Sequence, residues 1–234
     1  MSTSRERVLA ALDGVIDPEL DEPITSLRFV SSCEVSPDGD VEVVLRLPTP
    51  QCAPNFAFLM AADARDAVRR LPGVRQVSVH LEDHYTGSEI NAAIRRGEGF
   101  EGAFPGETAD DDLGALRELF QRKALIARQS RVCEVLLSGG ASAEQVVARR
   151  VRDLPDGPEA RRSLQLRAAL GLSTAPDAPA FVRPDGQPLA ADQLARWLRM
   201  ARLVAISLEA NGGICRSLLQ VRHDLAADPE EVAR

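Results

Sequence analysis

Asp17-Pro18-Glu19-Leu20 and Leu47-Pro48-Thr49-Pro50-Gln51-Cys52-Ala53-Pro54 bracket a stretch that reads as a β-hairpin. Asp17-Pro18 ends a short amphipathic helix, because a residue before proline is pushed out of the helical region. Residues 30–35 and 41–47 read as the two strands, joined by the turn Ser36-Pro37-Asp38-Gly39-Asp40. In the second strand Val41, Val43 and Leu45 alternate with Glu42, Val44 and Arg46, so one face is apolar and the other mixed. The proline-boxed segment then closes the strand and opens a helix. A cysteine there is oddly placed for packing. It is well placed for a thiolate, since the free N–H groups and positive end of a helix favour negative charge.

Working outward, Val8, Leu9 and Leu12 share one face of a first helix over 5–12. Helical spacing returns through Phe56, Leu59, Met60, Ala64, Ala67, Val68 and Leu71, and Val74, Val77, Val79 and Leu81 form a third strand. The expected fold is an α+β domain over residues 1–96, a three-stranded or larger sheet with helices on one face. Residues 97–112, rich in glycine and ending in Asp110-Asp111-Asp112, read as an acidic linker. Residues 113–234 then read as an all-α domain. Its expected helices cover 113–137, 142–151, 158–170, 189–207 and 214–225, with a break at Asn211-Gly212-Gly213. No internal repeat is present.

The four motif positions occur in a specific order: helix, Asp-Pro-Glu-Leu, hairpin, Thr-Pro-x-Cys-x-Pro, helix, Leu71-Pro72-Gly73-Val74, strand. Over residues 5–85 this resembles the iron–sulfur cluster assembly domain of the SufT, PaaD and cytosolic iron–sulfur targeting proteins. Asp17 falls on that family's acidic position, and Thr49 and Cys52 fall on its Thr-x-x-Cys turn. Two positions depart from the family pattern. Leu27-Arg28-Phe29-Val30 stands where the family carries Gly-Leu-Val, and Asp83-His84-Tyr85 stands where it often has Pro-x-Trp. The resemblance implies a factor acting late in metallocofactor delivery, together with scaffold or carrier proteins.

Composition narrows the classes further. The 234 residues are 44% hydrophobic and 27% charged, as expected of a soluble globular protein able to bury a core. The N-terminus reads as the entry to a helix rather than a signal peptide. No run approaches about 18 apolar residues, which argues against a membrane span. Cys33, Cys52, Cys133 and Cys215 are widely spaced with no Cys-x-x-Cys pair, so reduced thiols and a cytoplasmic location are expected. Residues 1–112 hold 10 Lys and Arg against 21 Asp and Glu, whereas residues 113–234 hold 18 against 14. That split fits two domains with a polar contact between them or with a partner, and it is no nucleic-acid footprint.

Cys52 has two readings, a buried packing residue or a functional thiolate. One thiolate suits transient binding of iron or an iron–sulfur cluster that must later be surrendered, whereas a storage site wants about four fixed ligands. Asp17 and Glu19 can supply oxygen ligands or polarise the thiol, and Asp17 can equally cap the turn before Pro18. Thr49 can bond a turn amide or lend its hydroxyl to the site. His80 and His84 lie four apart, and on a strand they would share a face and could meet one ion. Cys33 and Cys133 read as packing. Cys215 follows the two glycines and is a weaker metal-ligand candidate, beside His84.

The expectation is therefore a non-catalytic maturation factor that binds iron or a cluster transiently at Cys52, Asp17, Thr49 and Glu19. Its helical domain would recognise a client metalloenzyme, a non-haem iron oxygenase being one class considered. Neither a membrane nor a nucleic acid is expected as partner, and a homodimer is compatible with the reading. Two other classes compete. One is a regulatory or DNA-binding protein, because Phe181–Leu189 and the helix bearing Trp197 resemble a loop-to-helix passage of DNA recombinases. The other is an enzyme with Cys52 as nucleophile, for which no histidine base is evident.

Overall fold

Ser4 caps the first helix, α1 (Arg5–Leu12), by accepting the Arg7 N–H, and Val8 and Leu12 are its buried residues. The computed structural model describes residues 3–108, 113–223 and 225. They form two compact units, Met1–Ala115 with Asn211–Arg234, and Leu116–Ala210. Among the described residues no helix is long and apolar enough to cross a membrane.

In the first unit, α1 leads to a two-residue bridge between β1 (Ile16–Asp17) and β2 (Glu22–Pro23), in which Asp17 faces Glu22. The turn between them passes through Asp21 at φ 53°. Next, β3 (Val30–Val35) pairs antiparallel with β4 (Asp40–Arg46), and β4 pairs parallel with β5 (Gln76–Glu82), giving the order β3-β4-β5. The α2 helix (Pro54–Arg69) makes the crossover that a parallel pair requires. Val41, Val43, Leu45, Val79 and Leu81 are buried, while Glu42, Ser78 and His80 on the other face are exposed. The helices thus cover one face of a three-stranded sheet, as expected. Gly39 in the hairpin turn is at φ 87°, and a Cβ there would run into the Gly73 carbonyl. Only glycine satisfies both demands.

Two helices follow that composition did not reveal. The α3 helix (Gly87–Arg96) is fastened to β5 by Asn91, which accepts the Leu81 N–H at 2.8 Å and donates to the Leu81 carbonyl at 2.9 Å. One turn of helix, α4 (Phe100–Ala103), lies within the stretch read as linker. Its Phe100 meets Phe58 of α2 edge-on with ring centroids 5.5 Å apart. Asp110-Asp111-Asp112 lies outside the described residues.

The second unit is built from α5 (Gly114–Ser138), α6 (Ala143–Val147), a 3₁₀ turn at Val151–Asp153, α7 (Pro158–Ala169) and the first part of α8 (Ala191–His223). A reciprocal Ser142–Gln145 capping box starts α6. Its core gathers Cys133, Val146, Phe181, Leu194, Trp197 and Ala201. The recombinase-like residues Phe181 and Trp197 are thus interior residues of this unit. Gln129 of α5 bonds both backbone groups of Val182, at 2.8 and 3.0 Å, as a neighbouring strand would.

The expected break at Asn211–Gly213 does not occur, and α8 runs through it. Two interior glycines cost roughly 1 kcal/mol each against alanine, so tertiary contacts must offset them. Gly212 is buried, and a Cβ there would come within 3.0 Å of Glu22 Oε1. It is a close-approach residue rather than a helix breaker. Gly213 has nothing within 4 Å. Gly213→Ala should therefore raise stability by up to about 1 kcal/mol. Gly212→Ala should gain less or lose, as Glu22 is displaced. Equal gains from both, measured by denaturant titration, would refute the close-approach role.

Candidate metal-handling site

The Cys52 turn is clamped from both sides before α2 begins. Pro50 and Cys52 present carbonyls to the loop after β5: Tyr85 N–H donates to Pro50 at 3.1 Å, and His84 Nε2 lies 2.7 Å from the Cys52 oxygen. Thr86 N–H can only donate, and it reaches His84 Nδ1 at 3.3 Å. A carbonyl can only accept, so Nε2 is the nitrogen that donates to Cys52. Both ring nitrogens are engaged in this arrangement. Among the described residues no imidazole is hydrogen-bonded to the Cys52 sulfur. The β5 strand ends at Glu82, and His84 lies beyond it, so the shared strand face expected for His80 and His84 does not exist. His80 is exposed and bonds Asn91 at 3.1 Å.

Thr49 Oγ1 lies 3.6 Å from Cys52 Sγ and also accepts the Gln51 N–H at 3.2 Å. With its acceptor side engaged by an amide, its one proton is free to turn to the sulfur. The turn-holding bond weighed from the sequence is thus present, with the hydroxyl also within reach of the sulfur. Cys52 precedes the N-cap residue Ala53, and Pro54 occupies the first helical turn. The sulfur is half-buried, shielded without being sealed.

Asp17 is buried, and one oxygen, Oδ1, accepts the Glu19 N–H at 2.8 Å and the Leu20 N–H at 3.0 Å. That is the turn-capping geometry expected before Pro18. Burial nonetheless lifts its carboxyl to about 6, with the two amides pulling the other way and Glu19 and Glu22 adding to the rise. A carboxyl held near neutrality by burial is the kind of group that recurs at functional sites.

Cys215 joins this group from α8. Burial pushes its thiol up to about 11, and the charges of Asp17, Cys52 and Glu19 push the same way, opposed by Arg216. Sequence reasoning had placed Cys215 after a helix break with no defined neighbour. By contrast Cys33 is buried in β3 and Cys133 in the second unit's core, where burial lifts the latter to about 12. Among the described residues no three His, Cys, Asp or Glu are arranged to hold a metal ion by themselves.

Residues 5–80 match the family model described as iron–sulfur cluster assembly protein. An uncharacterised protein of Methanocaldococcus jannaschii is 34% identical over 95 residues, which cover 41% of this chain and 98% of that protein. The iron–sulfur cluster carrier protein of Mycobacterium bovis is 40% identical over 75 residues, but these span 19% of its length. The Fe-S protein maturation auxiliary factor YitW of Bacillus subtilis is 29% identical over 77 residues, 33% of this chain and 74% of that factor. The family model covers the N-terminal part of the chain, and the segment matched in the carrier protein is about a fifth of that protein.

Proposed function

We propose a function from one premise: the chain belongs, through its N-terminal domain, to the iron–sulfur cluster assembly protein family. It acts as an accessory factor in metallocofactor maturation, receiving iron or an iron–sulfur cluster as cargo at Cys52 and passing it to a client metalloenzyme. The observation that carries this reading is the Cys52 turn. Its backbone is held by His84 and Tyr85, its half-buried sulfur faces the Thr49 hydroxyl, and among the described residues no imidazole is hydrogen-bonded to it. Such a sulfur is presented to a soft metal rather than activated for attack on a substrate.

Each neighbour has a part in this scheme. The Thr49 O–H steadies the thiolate. Asp17 offers Oδ2 as an oxygen ligand, or takes the proton that the thiol releases on metal binding. Glu19 and Glu22 add negative charge that favours a cation. A site with so few ligands holds cargo weakly enough to give it up, whereas four fixed thiolates would retain it. The second unit, rich in arginine and with little chemistry of its own, selects the client and the scaffold or carrier proteins. A non-haem iron oxygenase is one client class that would need such delivery.

Anaerobic reconstitution with ferrous iron and sulfide tests the reading. Cys52→Ala should lower bound iron roughly tenfold or more and leave the thermal midpoint within about 3 °C, since no core contact is removed. Wild-type iron content in the variant, or its outright unfolding, would make Cys52 a structural residue.

A further inference from the structure

From Asn211 onward, α8 presents one face to the rest of its unit. Gly212, Cys215, Arg216, Leu219 and Arg222 recur at spacings of three and four and so share that face. Gly212 lies against Glu22, and Arg216 Nη1 bonds Glu22 Oε2 at 2.8 Å. Leu219 is 1% exposed, and Arg222 pairs with the Asp83 carboxylate. Ile214, Leu218 and Val221 are on the opposite, exposed side. Cys215 is therefore turned inward.

Both anchor points adjoin the candidate site. Glu22 is the register partner of Asp17 across β1 and β2. Asp83 directly precedes His84, whose ring holds the Cys52 carbonyl. A helix face fastened at Glu22, the partner of Asp17, and at Asp83, the neighbour of His84, turns Cys215 toward the segments that carry Asp17 and Cys52. We propose that Cys215 is a second thiolate ligand for the cargo, so that the last helix completes a dithiol site whose first thiol is Cys52.

The proposal deepens the reading above and rests on it. Two thiolates are half the complement of a [2Fe–2S] cluster. The remaining iron positions are then filled by Asp17 or by the protein that donates or accepts the cluster. The cargo is then a thiophilic metal ion or a cluster shared between two proteins during transfer. Binding exchanges each thiol proton for a metal–sulfur bond, the protons leaving to solvent or to Asp17.

Cobalt(II), added to the full-length reduced protein, reports each thiolate through sulfur-to-metal charge-transfer absorption. Wild type should show the intensity of two thiolates per cobalt. Cys215→Ser should show about half that intensity and bind roughly tenfold or more weakly. In the wild type, bound cobalt should slow alkylation of Cys52 and Cys215 alike and leave Cys33 and Cys133 unchanged. This measurement decides the matter even if the serine variant folds poorly. Protection of Cys52 alone, with single-thiolate absorption, would overturn the dithiol site while leaving the role of Cys52 intact. Absence of charge transfer and of any protection would remove both.

Discussion

Asp17→Asn should yield a protein more stable than wild type above pH 7 by up to about 3 kcal/mol, and less able to hold iron. Burial lifts the Asp17 carboxyl from 3.8 to about 6 in the folded state, while in the unfolded chain it ionises at its ordinary value. Between those values the native state keeps a proton that the unfolded state has lost, so stability falls as pH rises through that window. The protonated carboxyl's contribution is fully present below about pH 4 and gone above about pH 6. At neutral pH the fold carries an ionised carboxylate out of water, and a rise of about two units corresponds to roughly 3 kcal/mol. Asparagine keeps Oδ1 for the Glu19 and Leu20 amides but has no charge to bury. Denaturant titrations from about pH 4 to 8 should therefore show the variant's advantage growing with pH and vanishing at the acid end. Parallel curves would mean that Asp17 is not a strained acid. A carboxylate kept at a cost to stability, beside a thiol, is where activity and stability are expected to trade.

That expectation bears on what was legible in the chain. Asp17, Thr49 and Cys52 could be read because each sits in a short motif whose local geometry the prolines dictate. The strands of the small sheet could be read because Val41, Val43 and Leu45 alternate against polar neighbours. Helix α2 begins at Pro54 rather than Phe56, because proline fits the first helical turn, where no N–H is needed. Helix α3 escaped notice because its attachment is tertiary. The Asn91 side chain bonds the backbone of Leu81, and no run of apolar residues announces it. Phe100 was hidden in glycine-rich sequence, although it stacks on Phe58.

The glycines at 212 and 213 misled for a related reason. Propensity counts them as breakers, but Gly212 is small because Glu22 lies against it. Once the helix is seen to continue, Cys215 gains a direction. Periodicity gives the face of a helix and never its partner. The meeting of Cys215 with Asp17 and Cys52 therefore joins residues that no local pattern could connect. The Glu22–Arg216 pair, which fastens that face, joins residues 194 positions apart.

Arg167→Ala should be the most damaging single change in the second unit, and it separates that unit's role from the first. Arg167 is 2% exposed, and its Nη1 donates to the Pro179 and Ala180 carbonyls at 2.8 and 3.1 Å. Burial lowers its basicity, and desolvation is the cause. It thus anchors the segment that leads through Ala180, Phe181 and Val182 into the core beside Leu189 and Trp197. Truncation would leave one buried and one partly buried carbonyl without this donor and open a large void, together worth about 3 to 5 kcal/mol. Arg167→Met would refill much of the volume yet leave the carbonyls unpaired, so it should recover only part of that loss. Circular dichroism and proteolysis should show helices of residues 116–210 opening first. If the second unit selects the client and the first handles the cargo, the alanine variant should still give the wild-type cobalt spectrum while failing to mature the client. Loss of the cobalt spectrum in step with the helices would show instead that the two units stand or fall together, and that division of labour would be wrong.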